Sequence, residues 1–349
     1  MGVDVFYAIS GYVITNLLLR QVGRYGRPHF AEFYARRARR ILPAAGLVAL
    51  GTVIASYALL GFIRGNEVAD DARWIAVFLG NNHFASVGTN YFQSEMPPSP
   101  LLNYWSLAVE EQFYVAYPAA IAVLVVLARR LPIRTKLMVF TGATFVVSFI
   151  WSVHYTSVNS ASAYFSIWTR AWELALGGFV AASSPLWARL PSAMGAVVAW
   201  SGLAAIAVGV VSFSSATLYP GWAAIVPVGG AALTILGGVR ANRFGPELLL
   251  GTRLFRWVGK LSFSIYLWHW PVLTIGAQAA SRPLSLGRRL ALAAASVAGA
   301  AITFYCLEDP VRRSKWLAKH PLVSIGMGLL IVGLVLGVAT LEIHLHQTL

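Results

Sequence analysis

The sequence is poor in charged residues, which make up only 11% of its 349 residues. A soluble domain has about a quarter of its residues charged and about half apolar, whereas 58% of this chain is hydrophobic and its mean hydropathy is +0.66. Acidic residues are the scarcest, 13 against 27 Lys and Arg. The shortage of charge excludes an ordinary soluble domain. Because the basic residues cluster in short stretches between apolar runs, we also expect no nucleic-acid partner.

Cysteine is almost absent, and a leading basic segment is missing. The one cysteine, Cys306, excludes an intramolecular disulfide, and its place within an apolar run predicts a small buried hydrophobic side chain. No basic residue precedes the first apolar run, and its arginines follow it. We therefore expect this run to be a retained span rather than a cleaved signal peptide.

Apolar runs recur from end to end, and about 20 residues suffice to cross ~30 Å of hydrocarbon as a helix. We predict an all-α fold, a polytopic transmembrane bundle of about ten spans. It occupies residues 1–341 and is followed by a short extracytoplasmic tail at 342–349, with no soluble hydrolase-like domain. The predicted spans are 3–19, 41–63, 107–128, 137–154, 166–183, 195–213, 222–239, 260–277, 289–306 and 322–341.

Loop charges predict the orientation in the cell (inner or plasma) membrane. Loop 20–40 carries seven arginines against Glu32 and should be cytoplasmic. Loop 64–106, with Glu95 among its acids, and the N-terminus should be outside. Alternation of the spans then places loop 129–136, which starts at Arg129, on the cytoplasmic side. Loop 278–288 is the exception, because it is basic and yet is placed outside. Segment 74–84 is interpreted as interfacial or re-entrant, because a crossing there would move every later basic loop outside.

Ionisable residues at membrane depth are costly and are functional candidates by default. Asp4 lies near the predicted outer mouth and is either a functional carboxylate or a helix N-cap. Ser10-Gly11 beside it allows close helix packing. Arg170 and Glu173 are three residues apart, which favours a structural salt bridge on one helix face.

One basic motif, one acidic motif and one histidine motif have the residue types of an active site. Arg36, Arg37, Arg39 and Arg40 could form a fork for phosphate, or an orientation signal that contacts lipid headgroups. Glu110 and Glu111 point about 100° apart on a helix, so one could face a polar cavity and the other the interface; alternatively both lie in the headgroup layer.

His269 stands between two tryptophans and is either a base or hydrogen-bonding group or a packing histidine. Glu308 and Arg312 are interpreted as a mainly structural pair that fixes a loop. We assign no metal site, and the tail histidines, His344 and His346, are weak evidence for one.

Six ordered strings between residues 2 and 313 together resemble one family. The sequence is similar to the acyltransferase 3 family of integral membrane acyltransferases, which includes bacterial O-antigen and peptidoglycan O-acetyltransferases. The strings are GVDVFYAISGYVIT, FYARRARRILP, LLNYWSLAVEEQFYVAYP, RAWELALGG, SFSIYLWHWPV and LEDPVRR.

The resemblance implies transfer of an acyl group, typically acetyl, from cytoplasmic acyl-CoA to a hydroxyl of a cell-envelope carbohydrate or lipid. Acyl-CoA would be a cosubstrate, with no permanently bound cofactor. The family's double-arginine motif maps to Arg37 and Arg40, with Arg36 and Arg39 beside them, and these would hold the coenzyme phosphates. His269, Glu110 and Glu111 are the candidate catalytic residues. The expected partners are membrane lipids, an envelope polysaccharide, glycolipid or peptidoglycan acceptor, and a separate extracytoplasmic transferase.

The chain departs from the family pattern at two places. Members usually begin with a further helix that carries an Arg and the expected catalytic His, and this chain starts just after it; a misassigned start, a fragment or lost catalysis would each explain that. The position two before Trp105, often His, holds Asn103, which can hydrogen-bond but cannot act as a base. The alternative functions are a transporter or flippase for acyl groups or lipid-linked sugars, and an inactive scaffold.

Overall fold

The computed structural model describes residues 1–91, 97–127, 130–214, 217–240, 244–280 and 282–347. Within these ranges the chain forms helices and no strands. The helices of the first half are α1 (Gly2–Tyr25), α2 (Phe30–Leu60), α3 (Phe62–Ala76), α4 (Gly80–Tyr91), α5 (Tyr104–Val126), α6 (Ile133–Val158), α7 (Ser160–Phe165) and α8 (Ala171–Trp187). Those of the second half are α9 (Ser192–Ser212), α10 (Ile225–Gly238), α11 (Glu247–Leu250), α12 (Arg253–Gln278), α13 (Leu286–Thr303), α14 (Asp309–Arg313), α15 (Lys315–Lys319) and α16 (Pro321–Gln347).

Each of the ten predicted spans overlaps a described helix. Seven helical stretches in the described ranges are long and apolar enough to cross a membrane. The other three predicted spans correspond to α8, of 17 residues, α10, of 14 residues, and α12. The prediction of an all-α, multi-pass membrane protein is confirmed.

The chain divides into two compact units. The first comprises Met1–Pro28 and Val109–Arg256, and the second comprises His29–Ala108 and Trp257–Leu349. In the first unit α1 packs along α8, α8 along α6, and α10 along both α9 and α1. The predicted close packing at Gly11 is present, because a Cβ at this position would lie 1.9 Å from the carbonyl oxygen of Leu174 on α8.

In the second unit α2, α3 and α16 pack on one another, and α3 runs antiparallel to α2. Tyr57 Oη of α2 donates to Asn66 Oδ1 of α3 at 2.7 Å, and further along α3, Ile75 lines the same cleft as Gly46 of α2. The chain turns at Phe78, whose φ of 57° is left-handed, and continues into α4. Segment 74–84 therefore lies in a helical hairpin whose α3 end is level with the middle of α2, and its interpretation as interfacial or re-entrant stays a prediction.

Several predicted boundaries and one burial prediction are wrong. Most of predicted loop 20–40 is helical, because α1 continues to Tyr25 and α2 begins at Phe30. The predicted tail forms the last turns of α16 as far as Gln347. Cys306 is exposed rather than buried, because the outer face of a membrane helix contacts lipid and is also apolar. Glu95 and Arg129 lie outside the described residues.

Candidate functional site

Three buried charges meet in the first unit. Arg170 Nη1 lies 2.5 Å from Asp4 Oδ1 and 3.0 Å from Glu173 Oε1, and all three side chains are at most 1% exposed. The predicted pair of Arg170 and Glu173 is confirmed. Asp4 is not the N-cap of α1, which is Met1; it is the second carboxylate partner of Arg170. Because a buried charge is tolerated only when compensated, this triad couples the start of α1 to the start of α8.

Tyr164 also contacts Arg170. Its carbonyl oxygen accepts from Arg170 Nε at 3.2 Å, and its ring lies 5.0 Å from the guanidinium carbon. Burial raises the pKa of the Tyr164 phenol, and the Arg170 charge opposes the rise. The phenol therefore stays neutral at physiological pH and contributes a ring face to the cation.

Glu110 and Glu111 have different environments, as their angular separation on α5 predicts. Glu110 is 3% exposed; its carboxylate accepts from Ser10 Oγ of α1 at 2.6 Å and from the Tyr114 hydroxyl, which in turn contacts Ser10. Glu111 is half-buried. Glu110 is thus part of a hydroxyl–carboxylate cluster that joins α1 to α5.

The four arginines of α2 separate into distinct environments. Arg39 is 7% exposed and donates to the Leu317 carbonyl at 2.6 Å and to Ser324 Oγ at 3.1 Å. Arg36 pairs with Glu32 at 3.0 Å. Arg37 is half-buried and Arg40 is exposed. Arg39 therefore anchors α2 to α15 and to the start of α16, whereas the Arg40 side chain is exposed.

Asn103 and His269 lie on segments that are hydrogen-bonded to each other in the second unit. Asn103 Nδ2 donates to the Tyr266 carbonyl, and the Tyr266 hydroxyl donates back to the Asn103 carbonyl, each at 2.7 Å. His269, on the same turn of α12 as Tyr266, contacts the Ile265 carbonyl through Nδ1 at 3.1 Å. Because a carbonyl only accepts, Nδ1 carries the proton and Nε2 keeps its lone pair in the neutral ring.

Glu308 and Arg312 form the predicted structural pair. Their charged atoms lie 3.8 Å apart, while Glu308 also accepts from Ser264 Oγ at 2.7 Å and Arg312 bonds Asp309 at 2.5 Å. Glu308 lies at the end of a π-helical turn, Phe304–Glu308, which links α13 to α14. These contacts join α12 to the chain after α13.

An apolar cleft lies beside α2 in the second unit. Tyr104 is the one residue of the described lining with a polar side-chain group, a hydroxyl that donates to the Ala45 carbonyl at 2.8 Å. The lining residues are Leu42, Ala45, Gly46, Ala49, Ile75, Ala76, Phe78, Tyr104, Leu107, Ile331, Val332 and Val335. At 100° per residue Arg39 lies on the cleft side of α2, whereas Arg37 and Arg40 are turned away from it.

Sequence reasoning missed a second charged group, within the α3–α4 hairpin. His83 Nε2 lies 2.8 Å from Asp71 Oδ1, and Ser99 Oγ donates to Asp71 Oδ2 at 2.5 Å. In the sequence, the acids of loop 64–106 indicate orientation only, and none of the motifs contains His83. The available signal was a histidine inside the apolar stretch WIAVFLGNNHF, twelve residues after an aspartate.

The two units divide the predicted site residues. Asn103, His269, Glu308, Arg312 and the arginines of α2 belong to the second unit. The residues of the first unit are Asp4, Glu110, Glu111, Arg170 and Glu173.

Comparisons with known proteins agree with the motifs. OatA of Listeria monocytogenes, a peptidoglycan O-acetyltransferase, is 28% identical over 333 residues, 91% of this chain and 52% of OatA. YrhL of Bacillus subtilis is 31% identical over 331 residues, 89% of this chain and 50% of YrhL. The O-acetyltransferase OatA of Staphylococcus aureus (strain NCTC 8325 / PS 47) is 28% identical over 284 residues, 78% of this chain and 46% of that protein.

This chain spans about half the length of these relatives. No solved structure matches it. The family defined by the acyltransferase domain matches residues 1–308, which include all four arginines of α2, Asp71, His83, Asn103 and His269. The chain belongs to the acyltransferase 3 family.

Proposed function

We propose that the chain is a membrane acyltransferase that moves an acyl group, typically acetyl, from cytoplasmic acyl-CoA to a hydroxyl of a cell-envelope carbohydrate. The observation that carries the proposal is the family match over residues 1–308. The three relatives are named as O-acetyltransferases, and two of the names specify peptidoglycan. A peptidoglycan-type glycan is therefore the acceptor we propose.

The donor site that we propose is the arginine end of α2. Arg39 is held by a carbonyl and a hydroxyl of its own unit, and Arg36 by Glu32. Arg40 is exposed one helical turn from Arg37, and a pair of guanidinium groups at this spacing suits the phosphates of coenzyme A. In this proposal Arg37 and Arg40 hold the donor, and Arg39 keeps α2 in place.

His269, Glu110 and Glu111 remain candidates for handling protons or orienting the substrates. His269 Nε2 can accept a proton when its ring is neutral, because Nδ1 is bound to a carbonyl. Glu110 already accepts from two hydroxyl groups, so it would position the groups around it rather than move a proton freely.

Binding of acetyl-CoA to the purified chain in nanodiscs tests the donor site. The double variant R37A/R40A should bind at least about 100-fold more weakly, because each hydrogen bond to a charged group contributes about 1.5–3 kcal/mol. The matched control is R253A/R256A, two exposed arginines at the same spacing on α12, which should bind as the unaltered chain does. Unchanged binding by R37A/R40A would refute this donor site.

A further inference from the structure

The apolar cleft of the second unit has a lining that suits a hydrocarbon chain. Its walls are α2, the end of α3, the start of α5 and the middle of α16, and it encloses an empty volume of about 330 Å³. The hydroxyl of Tyr104, the one polar side-chain group of the described lining, is already bound to the Ala45 carbonyl. Burying a polar group without a hydrogen-bond partner is costly. The lining therefore favours an apolar occupant.

The cleft is accessible from outside the protein. Its floor is buried, as at Gly46 and Val335, whereas its rim is half-buried, as at Leu42 and Ile331. Both α2 and α16 are long and apolar enough to cross a membrane. A cleft between such helices is therefore open to the hydrocarbon of the bilayer.

Two contacts show that α2 and α16 run parallel along the cleft. Arg39 of α2 donates to Ser324 Oγ of α16 at 3.1 Å. Seven residues further along each helix, Gly46 lies against Ile331, because a Cβ on Gly46 would lie 2.4 Å from Ile331 Cγ2. Depth in the cleft can therefore be counted along either helix from the level of Arg39 and Ser324.

The depth of the cleft matches one leaflet. The lining begins at Leu42, three residues beyond Arg39, and ends at Val335, eleven residues beyond Ser324. At 1.5 Å per residue the cleft extends from roughly 5 to 16 Å beyond the basic end of α2. Half of the ~30 Å hydrocarbon core of a bilayer is about 15 Å. A lipid chain that starts at this basic end would thus reach the far end of the cleft.

Exposed cations lie at the level where such a lipid would have its headgroup. Lys315 and Lys319 are one turn apart on α15, and both are exposed. The carbonyl of Leu317, between them, accepts from Arg39, which places both lysines near the start of the cleft. Basic groups at the ends of membrane helices attract anionic lipid headgroups. The charge of this end therefore complements an anionic lipid.

Other occupants fit less well. The pantetheine arm of coenzyme A contains two amides, for which the lining offers no partner, and Arg37 and Arg40 are turned away from the cleft. A helix of another chain is about 10 Å across and rises about 5.4 Å per turn, so a single turn would fill more than the cleft. One alkyl chain is narrow enough and has no polar group to satisfy.

We propose that this cleft binds one acyl chain of an anionic glycerophospholipid from the leaflet at the arginine end of α2. The headgroup phosphate lies against Lys315 and Lys319, and the chain runs between α2, α3 and α16 towards Val335. The bound chain fills the cleft and so joins α3 to the two long helices. This site does not include Arg37 or Arg40, so it is independent of the proposed donor site.

The headgroup is tested by native mass spectrometry of the delipidated full chain, titrated with phosphatidylglycerol or with phosphatidylcholine of the same acyl chains. One phosphatidylglycerol should bind about tenfold or more tightly than phosphatidylcholine. The variant K315Q/K319Q should lose this preference. The matched control R253Q/R256Q, which removes two exposed charges of α12, should keep it. Equal affinities of the two lipids for the unaltered chain would overturn the proposal.

The cleft itself is tested with A76L, which adds a larger side chain to the lining at a half-buried position. Phosphatidylglycerol should bind A76L at least about tenfold more weakly, and should raise its thermal unfolding midpoint less than that of the unaltered chain. The control A58L enlarges an exposed alanine of α2 that is not in the lining and should bind normally. Normal binding by A76L would overturn the proposal.

Crosslinking to the unaltered chain decides should A76L fail to fold. Phosphatidylglycerol with a diazirine in its acyl chain, in nanodiscs, should label segments 42–49 and 331–335 more heavily than the exposed segment 204–211 of α9. Unlabelled phosphatidylglycerol should reduce this labelling more than phosphatidylcholine does. Even labelling of these segments, or displacement of the lipid by acetyl-CoA, would overturn the proposal.

Discussion

At the scale of single residues, the buried charges of this chain are compensated in small groups. Arg170 joins two carboxylates, Asp4 and Glu173, and Asp71 joins His83 to Ser99. The pairing of Arg170 with Glu173 is predictable from the spacing of three residues on a helix. The contacts of Asp4 and of Asp71 connect different helices, and a single sequence contains no spacing rule for them.

Replacing Arg170 by Gln should strongly destabilise the protein. The substitution removes the guanidinium that pairs with both buried carboxylates and leaves Asp4 only the N-terminal ammonium at 2.7 Å; breaking a buried pair in this way costs about 3–5 kcal/mol. The free energy of unfolding, measured by SDS titration in mixed micelles, should fall by that amount. The control R313Q removes an arginine that is 70% exposed and pairs with Asp309, and should cost less than about 1 kcal/mol. Equal stability of R170Q and R313Q would show that the triad does not stabilise the fold.

Arg39 and Arg40 of α2 should control different properties. Arg39 should control the stability of the fold, and Arg40 the binding of acetyl-CoA. R39A removes donors to the Leu317 carbonyl and Ser324 and should lower the free energy of unfolding by about 2–3 kcal/mol. R40A removes an exposed side chain, so stability should change by less than about 0.5 kcal/mol while acetyl-CoA binding weakens about tenfold or more. Unfolding and binding measured on the same samples separate the two roles. A large stability loss in R40A would contradict this division.

At the scale of helices, the structure joins segments that the sequence analysis separated. Long runs such as α16 are predictable from hydropathy, because about 20 apolar residues in a row have no other stable arrangement in lipid. The hairpin of α3 and α4 is harder to predict, since its apolar stretch is short and its charges resemble those of a loop. The length of α2 was also underestimated, because its first turns carry the arginines that marked a loop.

The contact of α1 with α8 should tolerate no side chain at Gly11. A Cβ there would lie 1.9 Å from the Leu174 carbonyl oxygen, so G11A must separate two helix backbones and should cost about 1–3 kcal/mol. The control G23A lies on the same helix with no heavy atom within 4 Å of its Cβ, and should be neutral or slightly stabilising. The two variants can be compared by their thermal unfolding midpoints in detergent. Equal midpoints would mean that α1 and α8 do not approach closely at Gly11.

At the scale of the whole molecule, the all-α membrane fold and the family could be predicted from the sequence. Only some of the residues of the candidate site could be predicted in the same way. Hydropathy and the ordered motifs are properties of short segments, so one sequence contains them in full. The membership of each unit is not contained in any short segment, because Tyr104 and Glu110 lie on one helix, α5, yet belong to different units. The motifs identified Arg37, Arg40 and His269 as candidates but did not identify Asp71 or His83.

The central property proposed for this chain is the transfer of an acyl group from acyl-CoA. The direct measurement uses proteoliposomes of the purified chain, acetyl-CoA labelled in its acetyl group, and soluble peptidoglycan fragments as acceptor. We expect label in an alkali-labile ester on the fragments, accompanied by an equal amount of free coenzyme A, and a strong reduction of both in R37A/R40A. Label that crosses the bilayer while still a thioester, or coenzyme A that is never released, would contradict acyl transfer and favour transport.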